Sequence, residues 1–369
     1  MARPHIAAVI ENTFFDSIES VLRARGWQER LIGYTGYGTP GQVRVFARVL
    51  LSREEVDLST QVPEARSSRQ EIEEADLVQR GWRAFFTAPA ANTPVRIQVG
   101  DATLVARTDR GGYVDAVVAG HGLQEGWHEA HLTVMSGDML TTPVQVVRAD
   151  LEVGVVSDID DTVMVTHLPR PLIAAWNTFV RDEQVREEVP GMATMYRSFL
   201  SESAGTPIFY LSTGAWNTAP TLTRFLRRHG FPAGPLLLTD WGPTNTGWFR
   251  SGREHKANQL ERLVREFPGV RWILVGDDGQ HDPQLYGDFA HAHPDKVEAV
   301  GIRQLTPAQQ VLSHGLPIAT DELLGKRHGH GGVPMLRAPE GYTLHTLIQS
   351  ARQRMGRLKP SSWVPQVEE

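Results

Sequence analysis

The sequence predicts an α/β protein built around a doubly wound parallel sheet, with an antiparallel β-sandwich before it. Three observations carry this. Apolar runs of four to seven residues alternate with helical stretches after about residue 150, which is the pattern of a parallel sheet buried on both faces. Short alternating strands broken by turn residues fill about 30–150, as in a sandwich. Finally, acidic residues stand where several of the later apolar runs end.

Bulk composition limits the function classes. The chain has 369 residues, 41% hydrophobic and 22% charged, enough for two or three domains with a real core. A net charge of −6 gives no overall attraction to nucleic acid or anionic lipid, so no nucleic-acid partner is expected. Without cysteine there are no disulfides, thiolate metal sites or thiol nucleophiles. The sequence "MARPHIAAVIENTFF" lacks a signal-peptide core with a cleavage site, and no apolar run approaches a membrane span. A cytoplasmic protein is expected, with peripheral membrane contact open.

Residues 1–29 hold an amphipathic helix, with Ile6, Val9, Ile10, Phe14, Ile18, Val21 and Leu22 at helical spacing. Its polar face carries Glu11, Asp16 and Glu19, so packing on its own domain is favoured over a membrane surface. The sandwich covers 30–150. "QVRVFARVL" alternates Val43, Val45, Ala47 and Val49 against polar neighbours, and turns fall at Gly100-Asp101 and Arg110-Gly111-Gly112. A helical piece near Glu71–Arg80 interrupts it. The α/β domain covers 151–305. Its strands are "LEVGVVS", "PIFYLS", "GPLLLTD", "RWILVGDD" and "VEAVGIRQL". Helices are expected over Pro171–Arg186, Met192–Glu202, the stretch ending at Gly230, "EHKANQLERLVREFP" and "PQLYGDFAHAHP". Residues 306–369 form an extension that is partly loose, with a helix over 341–356.

Ligands of open α/β sheets bind at the carboxyl ends of the strands. There this chain offers Asp158 and Asp160, then Ser212-Thr213-Gly214, then Asp277, Asp278 and Asp282, with Lys256 on the helix before the last of these strands. Burying carboxylates is costly unless something compensates them. Mg²⁺ is the expected compensation, because it binds through carboxylates together with substrate phosphate. A carboxylate can also attack phosphorus, and a second acid two residues on can move the proton. The lysine and hydroxyl suit phosphoryl oxygens.

The residues Asp158-Ile159-Asp160-Asp161-Thr162 resemble the DxDxT signature of the haloacid dehalogenase superfamily, with Ser212, Lys256 and Gly276-Asp277 in the order of its other motifs. "NTF", "PGM", "FYLSTGAWN", "FPAGPLLL", "HK" and "LVGDDGQHDPQLY" followed by "GIR" narrow the resemblance to the catalytic domain of the actin-patch phosphatidate phosphatases. "GYTGYG" at 33–38 resembles the upstream part of bacterial members. The resemblance implies a Mg²⁺-dependent phosphatase with a haloacid dehalogenase-like fold. It implies Asp158 as nucleophile and metal ligand. Asp160 would be general acid and base, lending its backbone carbonyl to the metal. Ser212, Thr213, Gly214 and Lys256 would bind phosphate, with Lys256 also catalytic, and Asp277 would be a metal ligand. Thr162, Asp278 and Asp282 would support these. The chain departs from the fungal pattern at "LSTGAW" and at "GDDG", where Asp278 is extra.

About 45 residues lie between Thr162 and the next core strand. That is room for a small cap but not a large one, and an open site suits a phosphate carried on something large, such as a membrane lipid or a macromolecule. Together with the resemblance, this makes phosphatidate-type lipid phosphate the expected substrate, giving diacylglycerol and phosphate. A soluble or macromolecular phosphomonoester is the alternative on the same machinery, and a non-catalytic β-sandwich adaptor is the alternative of another class. His291 and His293, and those of the run at 327–332, are expected to be loop histidines. Trp216, Trp241 and Trp248 stand in loops, with either substrate contact or core cover open to them.

Overall fold

The computed structural model describes residues 20–52, 88–165, 187–239, 252–279, 281–306 and 332–356. The predicted helices at Glu71–Arg80 and Pro171–Arg186, most of the one over 5–25, and Trp241, Trp248, His328 and His330 lie outside these residues. The chain divides into two compact units. One comprises 1–148 with the short segments 215–220 and 240–250, and the other comprises the rest.

The first unit contains strands β1 (Gln28–Thr39), β2 (Gln42–Ser52), β3 (Ala88–Pro89), β4 (Pro94–Val99), β5 (Ala102–Arg107), β6 (Tyr113–Ala119), β7 (Gly126–Val134) and β8 (Met139–Val146). The sequence predicts two stacked antiparallel sheets. Among the described residues these strands instead join into one hydrogen-bonded sheet, in the order β3-β2-β1-β8-β7-β4-β5, with β6 also on β2. It is mixed, because β1 runs parallel to β8. The long β1 makes this possible. A register shift between Tyr34 and Tyr37 bends it, and the bare Gly36 and Gly38 admit the backbone of β2 where a Cβ would clash. Alternation in sequence marks the face that is buried, here Val45, Ile97, Val118, Leu132 and Val144, but not which strands pair. Trp216 belongs with this unit. It is buried, with its ring 4.5 Å from that of Tyr34 and 5.5 Å from that of Phe46, so it covers core.

The second unit contains β9 (Val153–Asp158), α1 (Met192–Ser201), β10 (Ile208–Ala215), α2 (Ala219–Arg228), β11 (Leu236–Thr239), α3 (Gly252–Glu266), β12 (Arg271–Asp277), α4 (Asp282–Ala292), β13 (Val297–Arg303), β14 (Met335–Ala338) and α5 (Gly341–Arg354). The sheet order is β11-β10-β9-β12-β13-β14, and the pairings from β10 to β14 are parallel. Every predicted strand of this unit is present. Continuous apolar runs are the reason, since Val155, Val156, Ile273, Leu274 and Val275 are all fully buried and a central parallel strand has no wet face. Gly154 stands opposite Trp272 in the ladder and lacks the Cβ that would run into its indole.

The extension beyond 306 is not loose throughout. β14 adds a sixth strand on β13. Glu340 caps α5 by accepting hydrogen bonds from the amides of Tyr342 and Thr343. Leu344 and Ile348 reach the bare Gly301 of β13. The helix is locked by a buried ion pair of Arg352 on Glu298 at 3.1 Å, flanked by partly exposed pairs of Arg352 on Glu202 at 2.9 Å and of Arg271 on the other oxygen of Glu298. Gly191 of "PGM" takes φ 76°, and its backbone packs against Gly341 with no room for a side chain on either.

Candidate active site

Leu211 of β10 pairs with Asp158, and Val275 of β12 pairs with Ser157. The parallel ladder therefore brings Asp158, Ser212 and Asp277 to one edge of the sheet, at the carboxyl ends of adjacent strands. Asp158, Asp277, Asp282 and Lys256 are all buried, at 2%, 0%, 1% and 3% exposure.

Lys256 is placed by its helix. Gly252 packs against Thr213 where a Cβ would not fit, and Lys256 follows four residues later on the same face. Its Nζ bridges Asp158 Oδ1 at 2.6 Å and Asp282 Oδ1 at 2.7 Å. Asp282 sits in the first turn of α4 and crosses the bare Gly276. Asp277 Oδ1 accepts the amide of Gly279 at 2.6 Å. Each of the three acids thus uses one oxygen within the protein. The second oxygen of each, Oδ2 of Asp158, Asp277 and Asp282, is buried without a hydrogen-bond partner among the described residues. One carboxylate oxygen from each lies within 4.8 Å of the others.

Such a set suits a hard divalent cation. It is all oxygen, it is buried, and three carboxylates against one lysine leave two negative charges for the ion to balance. The carboxyls of Asp158 and Asp277 are raised well above the usual range, first by burial and then by acidic neighbours, with Lys256 opposing. Burial pushes Lys256 down, but Asp158 and Asp282 outweigh it and its ammonium is held well above its ordinary value. Of the predicted residues, Asp282 is brought directly into the acid cluster, where sequence reasoning gave it only a supporting place.

The loop after β9 is tight. The Ile159 carbonyl accepts the amides of Thr162, Val163 and Met164 at 3.3, 2.9 and 3.3 Å. Asp161 takes the left-handed conformation, φ 57°, which Asp tolerates better than most residues. Thr162 is buried inside this turn, its hydroxyl without a hydrogen-bond partner among the described residues. Asp160 is half-buried. Its Oδ2 accepts the hydroxyl of Ser212 at 3.1 Å, and Ser212 Oγ accepts the Gly214 amide at 2.9 Å. The carbonyls of Thr213 and Gly214 accept Thr239 Oγ1. The extra Asp278 neither faces solvent nor joins the cluster. Its Oδ1 accepts the Leu305 amide at 2.8 Å and its own amide donates to Arg303, which makes it a brace.

Sequence reasoning passed over three side chains here. Tyr196 on α1 hydrogen-bonds Ser157, whose hydroxyl donates to the Asp158 carbonyl. Tyr286, one turn after Asp282, is buried with its hydroxyl unpartnered among the described residues. Arg303 donates to the Asp161 carbonyl at 2.6 Å. The i, i+4 spacing of Asp282 and Tyr286 was a usable signal, whereas the other two needed the fold. His293 pairs with Glu261 at 2.8 Å. His291 is not a loop histidine as expected but lies in the last turn of α4, and among the described residues neither it nor His293 joins a metal-binding group.

The family model of the phosphatidate phosphatase APP1 catalytic domain matches residues 153–304. The phosphatidate phosphatase APP1 of Saccharomyces cerevisiae is 29% identical over 153 residues, 41% of this chain and 26% of its own length. An uncharacterised Schizosaccharomyces pombe protein is 24% identical over 162 residues, 42% of this chain and 25% of its own. The chain therefore spans about a quarter of each fungal relative. Among solved structures, a carbohydrate acetylesterase from Xanthomonas citri aligns at a TM-score of 0.27 and 11% identity, over 80% of this chain and 74% of its own.

Proposed function

Residues 153–304 belong to the catalytic-domain family of the APP1 phosphatidate phosphatases, and on that premise we propose that the second unit is a Mg²⁺-dependent phosphomonoesterase of phosphatidate-type lipid phosphate, with a haloacid dehalogenase-like fold. The observation that carries the proposal is the trio of buried acids, each leaving one oxygen unpartnered among the described residues, beside a buried lysine.

Asp158, Asp277 and Asp282 would hold the cation, with the backbone carbonyl of Asp160. When bound, the ion supplies positive charge for the phosphoryl oxygens and for the acids themselves. Asp158 attacks phosphorus through a carboxylate oxygen. The bond between phosphorus and the alkyl oxygen breaks, and that oxygen takes a proton from Asp160, leaving an aspartyl-phosphate on Asp158. Asp160 then accepts a proton from water as the water oxygen attacks phosphorus. Phosphate departs and the Asp158 carboxylate is restored. Ser212 keeps Asp160 oriented between these steps. Lys256 offsets the charge on Asp158 and, with Ser212, Thr213 and Gly214, would meet the phosphoryl oxygens.

The test is inorganic phosphate release from phosphatidate vesicles, soluble alkyl phosphates and an aryl phosphate, with Mg²⁺ and with excess chelator. The proposal expects turnover of phosphatidate that the chelator abolishes. Turnover of soluble esters alone would move the substrate class, and full turnover in chelator would remove the metal. Turnover of nothing would leave a non-catalytic adaptor.

A further inference from the structure

We propose that Arg303, backed by the β14–α5 segment, is a positioning residue that sets the catalytic loop after β9. The proposal rests on the phosphatase reading for its kinetic consequence only.

Arg303 ends β13 and is 5% exposed. A guanidinium is rarely buried so far without a purpose that uses its several fixed donors. Its Nη1 donates to the carbonyl of Asp161 at 2.6 Å, and its Nε points to the carbonyl of Pro339 at 3.4 Å. The carboxylates of Asp161, Asp277 and Asp278 offset the cost of burying the cation. Asp161 is the left-handed residue of the loop, and it stands next to the proposed acid and base. Without an anchor on its carbonyl, a residue in that conformation relaxes towards a commoner one and carries Asp160 with it.

The contacts form a closed circuit. Val189 donates its amide to Val163 and Val165 donates to Glu187, tying the loop to the strand-like stretch before α1. Gly341 donates to Pro190 at 2.8 Å, and Gln304 donates to Ala338 at 2.8 Å. Arg303 closes the circuit back onto Asp161. Three of its links, at Ala338, Pro339 and Gly341, lie after the matched family segment, which ends at 304. The last strand and helix are thereby part of what holds the loop.

Hydrogen exchange and kinetics on the full chain test this with Arg303→Ala and Arg303→Lys. The expected result is faster exchange of the amides of Thr162, Val163 and Met164 in Arg303→Ala, with β12 unchanged. On the substrate that the wild type turns over best, kcat should fall about 100-fold, the scale of a 1 Å misplacement, with KM little altered. Guanidinium at millimolar concentration should restore part of kcat in Arg303→Ala and none in the wild type. Arg303→Lys, which keeps the charge but not the fork, should fall between the two. Unchanged exchange at 162–164 overturns the proposal whether or not the chain is a phosphatase. So does a kcat within threefold of an active wild type. Faster exchange with an inactive wild type would uphold the clamp and remove only the phosphatase reading. If Arg303→Ala does not fold, Arg303→Lys decides by the same exchange measurement.

Discussion

Replacing Lys256 by methionine keeps a buried stem of similar length and removes the cation shared by Asp158 and Asp282, which it meets at 2.6 and 2.7 Å. The side chains are no more than 4% exposed, so water cannot replace the lost ammonium. Breaking a buried ion pair by removing one partner costs about 3–5 kcal/mol, and here two carboxylates lose the same partner. For a unit of this size each kcal/mol moves the melting temperature by about 2–4 °C. The transition of the second unit should therefore fall by about 6–20 °C, read by calorimetry without added metal. Adding Asp282→Asn removes one of the stranded charges, so the double variant should melt above Lys256→Met alone, a coupling that a double-mutant cycle isolates. A loss below about 1 kcal/mol in the single variant, or strictly additive losses in the double one, would refute the reasoning.

Asp158→Asn should abolish turnover of both alkyl and aryl phosphates, while Asp160→Asn should slow alkyl esters by about 10²–10⁴-fold and aryl esters far less, because only the poor leaving group needs the proton. Equal losses on both substrates in Asp160→Asn would contradict these roles. The Asp277 carboxyl is raised by burial and by Asp282 and Asp158, so the folded state keeps a proton that the unfolded state releases near pH 3.9. Its contribution to stability is therefore present at low pH and lost as pH rises through the raised value. In chelator, Asp277→Asn should accordingly gain on the wild type as pH climbs from about 4 towards neutrality, and Mg²⁺ should erase the gain. Denaturant titrations at several pH values check this. Gly276→Ala places a methyl group against Asp282 Oδ2 and the Tyr286 ring, and it should cost about 1–3 kcal/mol together with most of the Mg²⁺ affinity measured by calorimetric titration.

The second unit was legible because its signals are local. A strand buried on both faces must be apolar along its length, and "RWILVGDD" says so without help from the rest of the chain. The clustering of the candidate site residues was legible for the same reason, since Asp158 and Asp277 end such strands and parallel strands share an edge. What escaped depends on chain pairing. The turn geometry that makes Asp161 left-handed leaves no mark on its residue type. The partner of Arg303 lies 142 residues away in sequence. The helix α5 was expected, but not its docking, because its Arg352 finds Glu298 and Glu202 only in the folded unit. In the first unit, alternation in β2 revealed a buried face, but not that β1 would run parallel to β8 and join all the strands into one sheet.

The central claim is that Asp158 carries the phosphoryl group, and trapping it is the most direct measurement. The chain is mixed with substrate and Mg²⁺, quenched, reduced with borohydride and digested, and the peptide spanning 153–165 is sequenced by mass spectrometry. An aspartyl-phosphate is reduced to homoserine, so the account predicts homoserine at position 158 and unmodified aspartate at 160. Homoserine at 160, or an unmodified peptide from an enzyme shown to be turning over, would contradict it.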